Sequence, residues 1–234
     1  MSSCTTRAAL LVGMLAALGV AAEVRGAPAV PGAAIGRGGP AVPGAAAQRG
    51  APAANRSALD PFFHRLAVSG RAEVRLEREA LDAPQGEPPT RGRAVLEPPD
   101  RARLEFDRGE RVTLRSDGGE WLQPGLRQCV RLGAARARIA LEWWDLLLGR
   151  ERGTFFERRL DQGRVLIVRA APGAAGDSAW VTLDARGDPA RLEVHPLDGG
   201  REIFRLARWR FSAPRGRADF VIAAPQGYES VDLP

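Results

Sequence analysis

The sequence predicts a mainly β protein with helices (α+β): an antiparallel sheet with one apolar and one wet face, covered by a pair of apolar helices. The first observation is the strict alternation from Arg101 to Asp107. Ala102, Leu104 and Phe106 fall on one side, and Arg103, Glu105 and Asp107 on the other, which is the period of two of a half-buried strand. The second is recurrence: similar short runs extend from Gly92 through SDGGEWLQPGLRQCV to the closing FVIAAPQGYESVDL. The third is that two segments carry apolar residues at helical spacing, and a one-sided sheet must cover its apolar face with something.

Taken from the amino terminus, residues 1–22 read as a secretory signal peptide. Arg7 supplies the positive start, an apolar stretch runs from Ala8 to Ala22, and Val20-Ala21-Ala22 offers small residues for cleavage, which places the mature start near Glu23. The stretch is shorter than the roughly 20 residues a membrane span needs. Cys4 precedes it, whereas a lipid-modified cysteine would follow it, so no lipid anchor is expected there. The expected location is the periplasm.

Residues 23–56 are rich in Ala, Gly and Pro and repeat PAVPGAA at 28–34 and 40–46. Such a stretch lacks the apolar periodicity to offset its ordering entropy, so it reads as a disordered linker, either a plain spacer or a motif for a proline-binding partner.

The folded domain spans 57–234. Leu59, Phe62, Phe63 and Leu66 recur at helical spacing, with Asp60 as a cap and Pro61 in the first turn. Strands are expected near 71–81, 91–97, 101–107, 110–116, 119–123 and 127–132, with a Pro/Gly-rich loop at 82–90. A second helix runs from about Ala135 to Leu148 and stops at Gly149. Strands follow near 153–160, 163–170, 178–184, 190–195, 201–211 and 218–223. Between 201 and 211 the alternation changes phase, Phe204 and Leu206 having one parity and Trp209 and Phe211 the other, which predicts a bulge or an edge exchange. These 178 residues suffice for one domain with a sizeable core.

Charge argues against a nucleic-acid partner despite an isoelectric point of about 10.8. All 34 basic residues are arginine, and five of them precede Ser57 with Glu23 as the one acid, so the remaining 29 face 27 acids. Arg71, Glu73, Arg75 and Glu77 interleave as a solvated strand face with cross-strand ion pairs, not as a one-signed stripe for phosphates.

The catalytic inventory is thin. His64 and His195 stand at no metal-ligand spacing, and no nucleophile elbow or Gly-rich phosphate loop is present. The protein is therefore read as no enzyme, with no catalytic residue, metal or cofactor. After signal cleavage Cys129 is the sole cysteine, which excludes an intramolecular disulfide. Inside a predicted strand it reads as a small buried apolar residue, with a reactive thiol as the alternative.

The second helix is more telling. Ile139, Trp143, Leu146 and Leu147 lie along one face, and Leu141, Trp144 and Leu148 carry the apolar surface around toward another, so the helix wants enclosure on several sides. It is either an ordinary core helix or a cover that also lines a cavity.

The stretches LEPPDRARLEF (96–106), SDGGEWLQPGLRQCV (116–130) and PQGYESVDL (225–233) resemble, in order and spacing, the LolA family of periplasmic lipoprotein carriers. Two positions depart from the family pattern: Ala102 replaces the aromatic before its arginine, and Leu104 the tryptophan after it. The resemblance covers roughly residues 57–234. It implies an incomplete antiparallel β-barrel covered by a helical lid, with lipoprotein acyl chains entering between sheet and lid. The expected lining is Phe62, Phe63, Leu66, Leu104, Phe106, Ile139, Trp143, Trp144 and Leu147. In the family one arginine hydrogen-bonds the lid and favours closure; the matching position is Arg103. The implied partners are acylated lipoproteins, an inner-membrane lipoprotein-releasing complex and an outer-membrane acceptor, and the expected state is a monomer. The alternatives are a carrier or sensor of another amphiphile on the same fold, or an envelope interaction module that binds no lipid.

Overall fold

The computed structural model describes residues 57–81, 88–149, 155–169, 178–195 and 200–234. The expected signal peptide, the linker and most of the 82–90 loop lie outside the described residues. Helix α1 is Asp60–Ser69 and helix α2 is Ala134–Leu148. The strands are β1 (Arg71–Ala80), β2 (Thr90–Glu97), β3 (Arg101–Phe106), β4 (Arg111–Arg115), β5 (Gly118–Gln123), β6 (Gln128–Leu132), β7 (Phe155–Arg159), β8 (Arg164–Arg169), β9 (Ser178–Leu183), β10 (Pro189–His195), β11 (Glu202–Ser212) and β12 (Glu229–Leu233).

All twelve form one sheet in the order β12-β6-β5-β4-β3-β2-β1-β11-β10-β9-β8-β7, and its two ends, β12 and β7, are not joined. Every pairing is antiparallel except that of β12 with β6. The incomplete antiparallel sheet with helices is thus the one expected. Its topology is two meanders, β1 to β6 and β7 to β11, zipped together where β1 meets β11. Helix α2 carries the chain from β6, near one end of the sheet, to β7 at the other.

The inner face holds one continuous apolar cluster. Alternation supplies it: Ala72, Val74 and Leu76 from β1, Ala102, Leu104 and Phe106 from β3, and Val165 and Ile167 from β8 are all buried. Helix α1 packs on β1 and β11, and α2 mainly on β4 and β5. Strand pairing is close enough at Gly92 to need glycine, since a Cβ there would lie 2.1 Å from the Glu105 carbonyl oxygen.

The predicted bulge is present. Glu73 pairs with Arg210 but Arg75 with Ala207, so Arg208 and Trp209 together face Val74, and Arg208 takes φ 61° to make the extra step. That step turns both Phe204 and Leu206, and Trp209 and Phe211 beyond it, toward the same core.

Two expectations are corrected. Residues 218–223 form no strand: Arg217–Phe220 is a 3-10 turn, and the last strand is β12. The period of two in Phe220 and Ile222 comes instead from two side chains plugging the outer face of the sheet. Asp60 is the first residue of α1 and not its cap; that position is Leu59, which makes no side-chain cap bond, although Ser57 Oγ accepts from the Leu59 N–H at 3.1 Å. The helix ends as glycine allows, with Gly70 at φ 81° donating to the Leu66 carbonyl.

Candidate functional site

The interior under the helices is built from rings and leucines. Helix α1 turns Phe62, Phe63 and Leu66 inward, and Phe62 meets Trp209 edge-on at 4.8 Å and Phe211 at 5.9 Å. On α2 the inward stripe is Ala137, Leu141, Trp144 and Leu148, with Leu147 alongside; Trp144 meets Phe204 at 5.5 Å. Of the expected lining, Phe62, Phe63, Leu66, Leu104, Phe106, Trp144 and Leu147 come together buried in this cluster. Trp143 is half-buried at its margin. Ile139 is not brought there; at 42% exposure it lies on the solvent side of α2. A helix stripe advances by three or four residues, and the one through Ala137 and Leu141 passes Ile139 by.

A cavity of about 480 Å³ opens where the start of α1 meets β8 and β9. Ser57, Ala58, Pro61, Arg164, Val165 and Leu183 line it, and Val165 belongs to the core while Ala58 and Leu183 pack against it. The floor of the cavity is therefore made by residues that belong to the apolar interior or pack on it. Ser57 Oγ and the Ala58 N–H both donate to the Glu157 carboxylate at 2.5 Å, fixing the start of α1 to edge strand β7.

Arg103 lies elsewhere. Alternation in β3 sends it to the outer face, where its guanidinium pairs with Glu105 and its Nη1 donates to the Asp219 carbonyl at 2.6 Å. It holds the C-terminal segment, not α2. That segment is clasped by charges, among them Arg71, a residue expected on a solvated face. Glu97, fully buried, accepts the backbone N–H groups of Arg215 at 2.9 Å and Gly216 at 3.0 Å, and pairs with Arg71 at 3.3 Å and Arg101 at 3.2 Å. Arg71 reaches Asp219 at 2.6 Å. Arg115 forks onto Glu120 at 2.8 and 2.9 Å, with a further bond to the Phe220 carbonyl. Phe220, fully buried, lies under the guanidinium groups of Arg71 and Arg101 at 5.9 and 5.8 Å.

These contacts set the electrostatics. Burial works against the charge of Glu120, but hydrogen bonds from Arg115 and Thr113 outweigh it and hold the carboxyl below its usual range. Asp219 is lowered likewise: burial opposes, and Arg71 followed by Arg103 and Arg215 prevails. Cys129 packs against Leu122 and Ile222 beneath the same segment, and burial, with the charge of Glu120, pushes its thiol up. It is a free buried cysteine, in keeping with the apolar reading. His64 is exposed, and His195 Nε2 lies 3.0 Å from Glu193. Among the described residues no group of three or more His, Cys, Asp and Glu side chains is placed to hold a metal ion.

Over β1 to β3 the outer face bears the expected cross-strand lattice. Glu77 pairs with Arg91 and Arg205 at 3.1 Å each, and Arg93 bridges Glu105 and Glu73. A shallow groove of about 720 Å³ runs across it, with Arg75 and Arg93 directly opposite each other.

No family model and no curated protein matches the chain. Among solved structures it is similar to an uncharacterized conserved protein from Thermus thermophilus, at 14% identity and a TM-score of 0.45 over 75% of this chain and 97% of that one. It is similar to a LolA superfamily protein from Nitrosomonas europaea at 8% identity and a TM-score of 0.37, over 69% and 96%. The MucA/MucB complex of Pseudomonas aeruginosa contains a third similar chain, at 13% identity and a TM-score of 0.38, over 71% and 61%.

Proposed function

We propose that the protein is a non-enzymatic carrier of the cell envelope. In this reading it takes the acyl chains of lipoproteins between sheet and helices and moves them from an inner-membrane releasing complex to an outer-membrane acceptor. The observation that carries the reading is the continuous apolar interior of an open sheet covered by helices, with a cavity against its margin. Helix α2 takes no part in the strand ladder, packs mainly on β4 and β5, and is flanked by Gly133 and Gly149, so it can shift without breaking a strand pairing. Each methylene taken in would contribute about 0.8 kcal/mol, with little regard to acyl identity. The signal read in residues 1–22 and its expected cleavage near Glu23 support an envelope location.

Arg103 would influence α2 through the C-terminal segment. The segment it grips continues into β12, and the Leu233 carbonyl accepts the N–H of Gly133, the residue that begins α2, at 2.7 Å.

A second reading has its own support. Seven of the nine expected lining residues are packed against one another in the core, which suits an envelope interaction module with a filled interior. Delipidated protein titrated with a fluorescent fatty-acyl probe separates the two. The carrier shows saturable uptake that Trp143→Ser weakens without loss of fold; absence of uptake would leave the module.

A further inference from the structure

The outer face of the sheet has three different surfaces. Over β1 to β3 it is a lattice of opposite charges, and over β3 and β4 the 3-10 turn of the C-terminal segment lies on it. Over β7 to β9 it is apolar and cationic. Alternation there points Val165, Ile167, Ala179 and Val181 into the core, so the opposite positions face outward: Phe156, Arg158, Arg164, Leu166, Val168 and Trp180. The register joins them, with Phe156 opposite Val168, Arg158 opposite Leu166, and Leu166 opposite Trp180. Phe156 is 69% exposed, and Leu166, Val168 and Trp180 are half-buried. The Arg164 guanidinium lies 4.2 Å over the Trp180 ring. Ser178 and Thr182 complete the outward positions, so no carboxylate stands among them. Neither Arg158 nor Arg164 has an acidic partner among the described residues.

We propose that this face docks the protein on an anionic phospholipid surface. Phe and Trp side chains settle at the depth of lipid headgroups, and arginine forks onto phosphate oxygens while being drawn by the negative surface potential. Charge complementarity selects this occupant over a second copy of the chain: a twofold contact through the same face would set Arg158 and Arg164 of one copy against those of the other. The proposal goes beyond the carrier reading and does not depend on it, because the face lies on the side of the sheet away from the apolar interior.

The test is flotation of the full chain with vesicles of phosphatidylcholine alone and of phosphatidylcholine mixed with phosphatidylglycerol. The protein is expected to float with the anionic vesicles only and to be released by salt. Phe156→Ser should weaken the association, and Arg158→Glu should weaken it by about fivefold per unit of charge removed. Acyl-probe uptake by the same variants should match wild type, which separates docking from cavity binding. Equal flotation with neutral vesicles, no flotation with either, or variants that float like wild type would overturn the proposal. So would a sedimentation shift showing that Phe156→Ser abolishes self-association instead.

Discussion

Glu97 is fully buried, and its carboxylate meets four donors: two backbone N–H groups from the C-terminal segment and two arginines. A buried charge is tolerated only when its lone pairs are all answered, and removing one member of such a set strands the others. Glu97→Gln keeps the shape but loses the charge that balances Arg71 and Arg101, and turns an amide N–H₂ toward donors. We predict a loss of about 3–5 kcal/mol, read as a lower urea midpoint with an unchanged slope. Arg91 is the contrast. Its side chain is 74% exposed beside Glu77, so Arg91→Ala should cost less than about 1 kcal/mol. If both substitutions moved the midpoint equally, the clasp around Glu97 would be no more than surface charge.

At the scale of elements, the C-terminal segment links Arg103 on the outer face of β3 to the start of α2. Arg103 holds its turn at Asp219, and its last strand ends against the start of α2. Arg103→Leu should therefore free the segment first and α2 second. Hydrogen exchange is expected to quicken in 213–222 and, to a smaller degree, in the first turn of α2, while β8 to β10 stay protected. Quickening in α2 with none in 213–222 would show that Arg103 acts on the helix by another route. This linkage was not legible in the sequence, and the reason is physical. Period-two alternation reveals which residues share a face, so eleven strands, both helices and the bulge near Trp209 could be placed from residue pattern. It does not reveal what covers that face. Arg71, Glu97 and Arg115 look like ordinary wet-side residues until the segment around Phe220 is laid over them. The alternation of Phe220 and Ile222 fits a strand as well as it fits two plugs. The parallel pairing of β12 with β6 is likewise a property of chain return, which local pattern does not encode. On α2 the sequence showed apolar residues on too much of the circumference to choose an inward stripe, and contact with β4 and β5 chose the one through Trp144 over the one through Ile139.

For the whole molecule, the near balance of arginines and acids beyond Ser57 means that stability at neutral pH depends on where charges pair, not on their sum. Glu105, Glu120, Glu193 and Asp219 all keep their carboxyls below the usual range: burial works against each, and arginine partners outweigh it. A carboxyl whose value is lower in the folded chain contributes stability that is present above the unfolded value of about 4 and is lost as pH falls through the folded one. Asp188 runs the other way. Burial raises it despite the pairing with Arg65, so its penalty is present above its folded value and is relieved as pH falls. Asp117 is lowered too, by the hydrogen bond from Arg217; with five groups against one, net stability should decline once pH drops below about 4. The decline should also be local at first, because Glu120 and Asp219 act through Arg115, Arg71 and Arg103 on the C-terminal segment, whereas Glu193 holds only neighbours on its own strand. Hydrogen exchange followed from neutral pH to about pH 3, corrected for the intrinsic pH dependence of exchange, is expected to show residues 213–222 losing protection before β8 to β10. Simultaneous loss in both regions would mean that the clasp opens only with the sheet, and undiminished protection would mean that these carboxyls carry no linkage to folding.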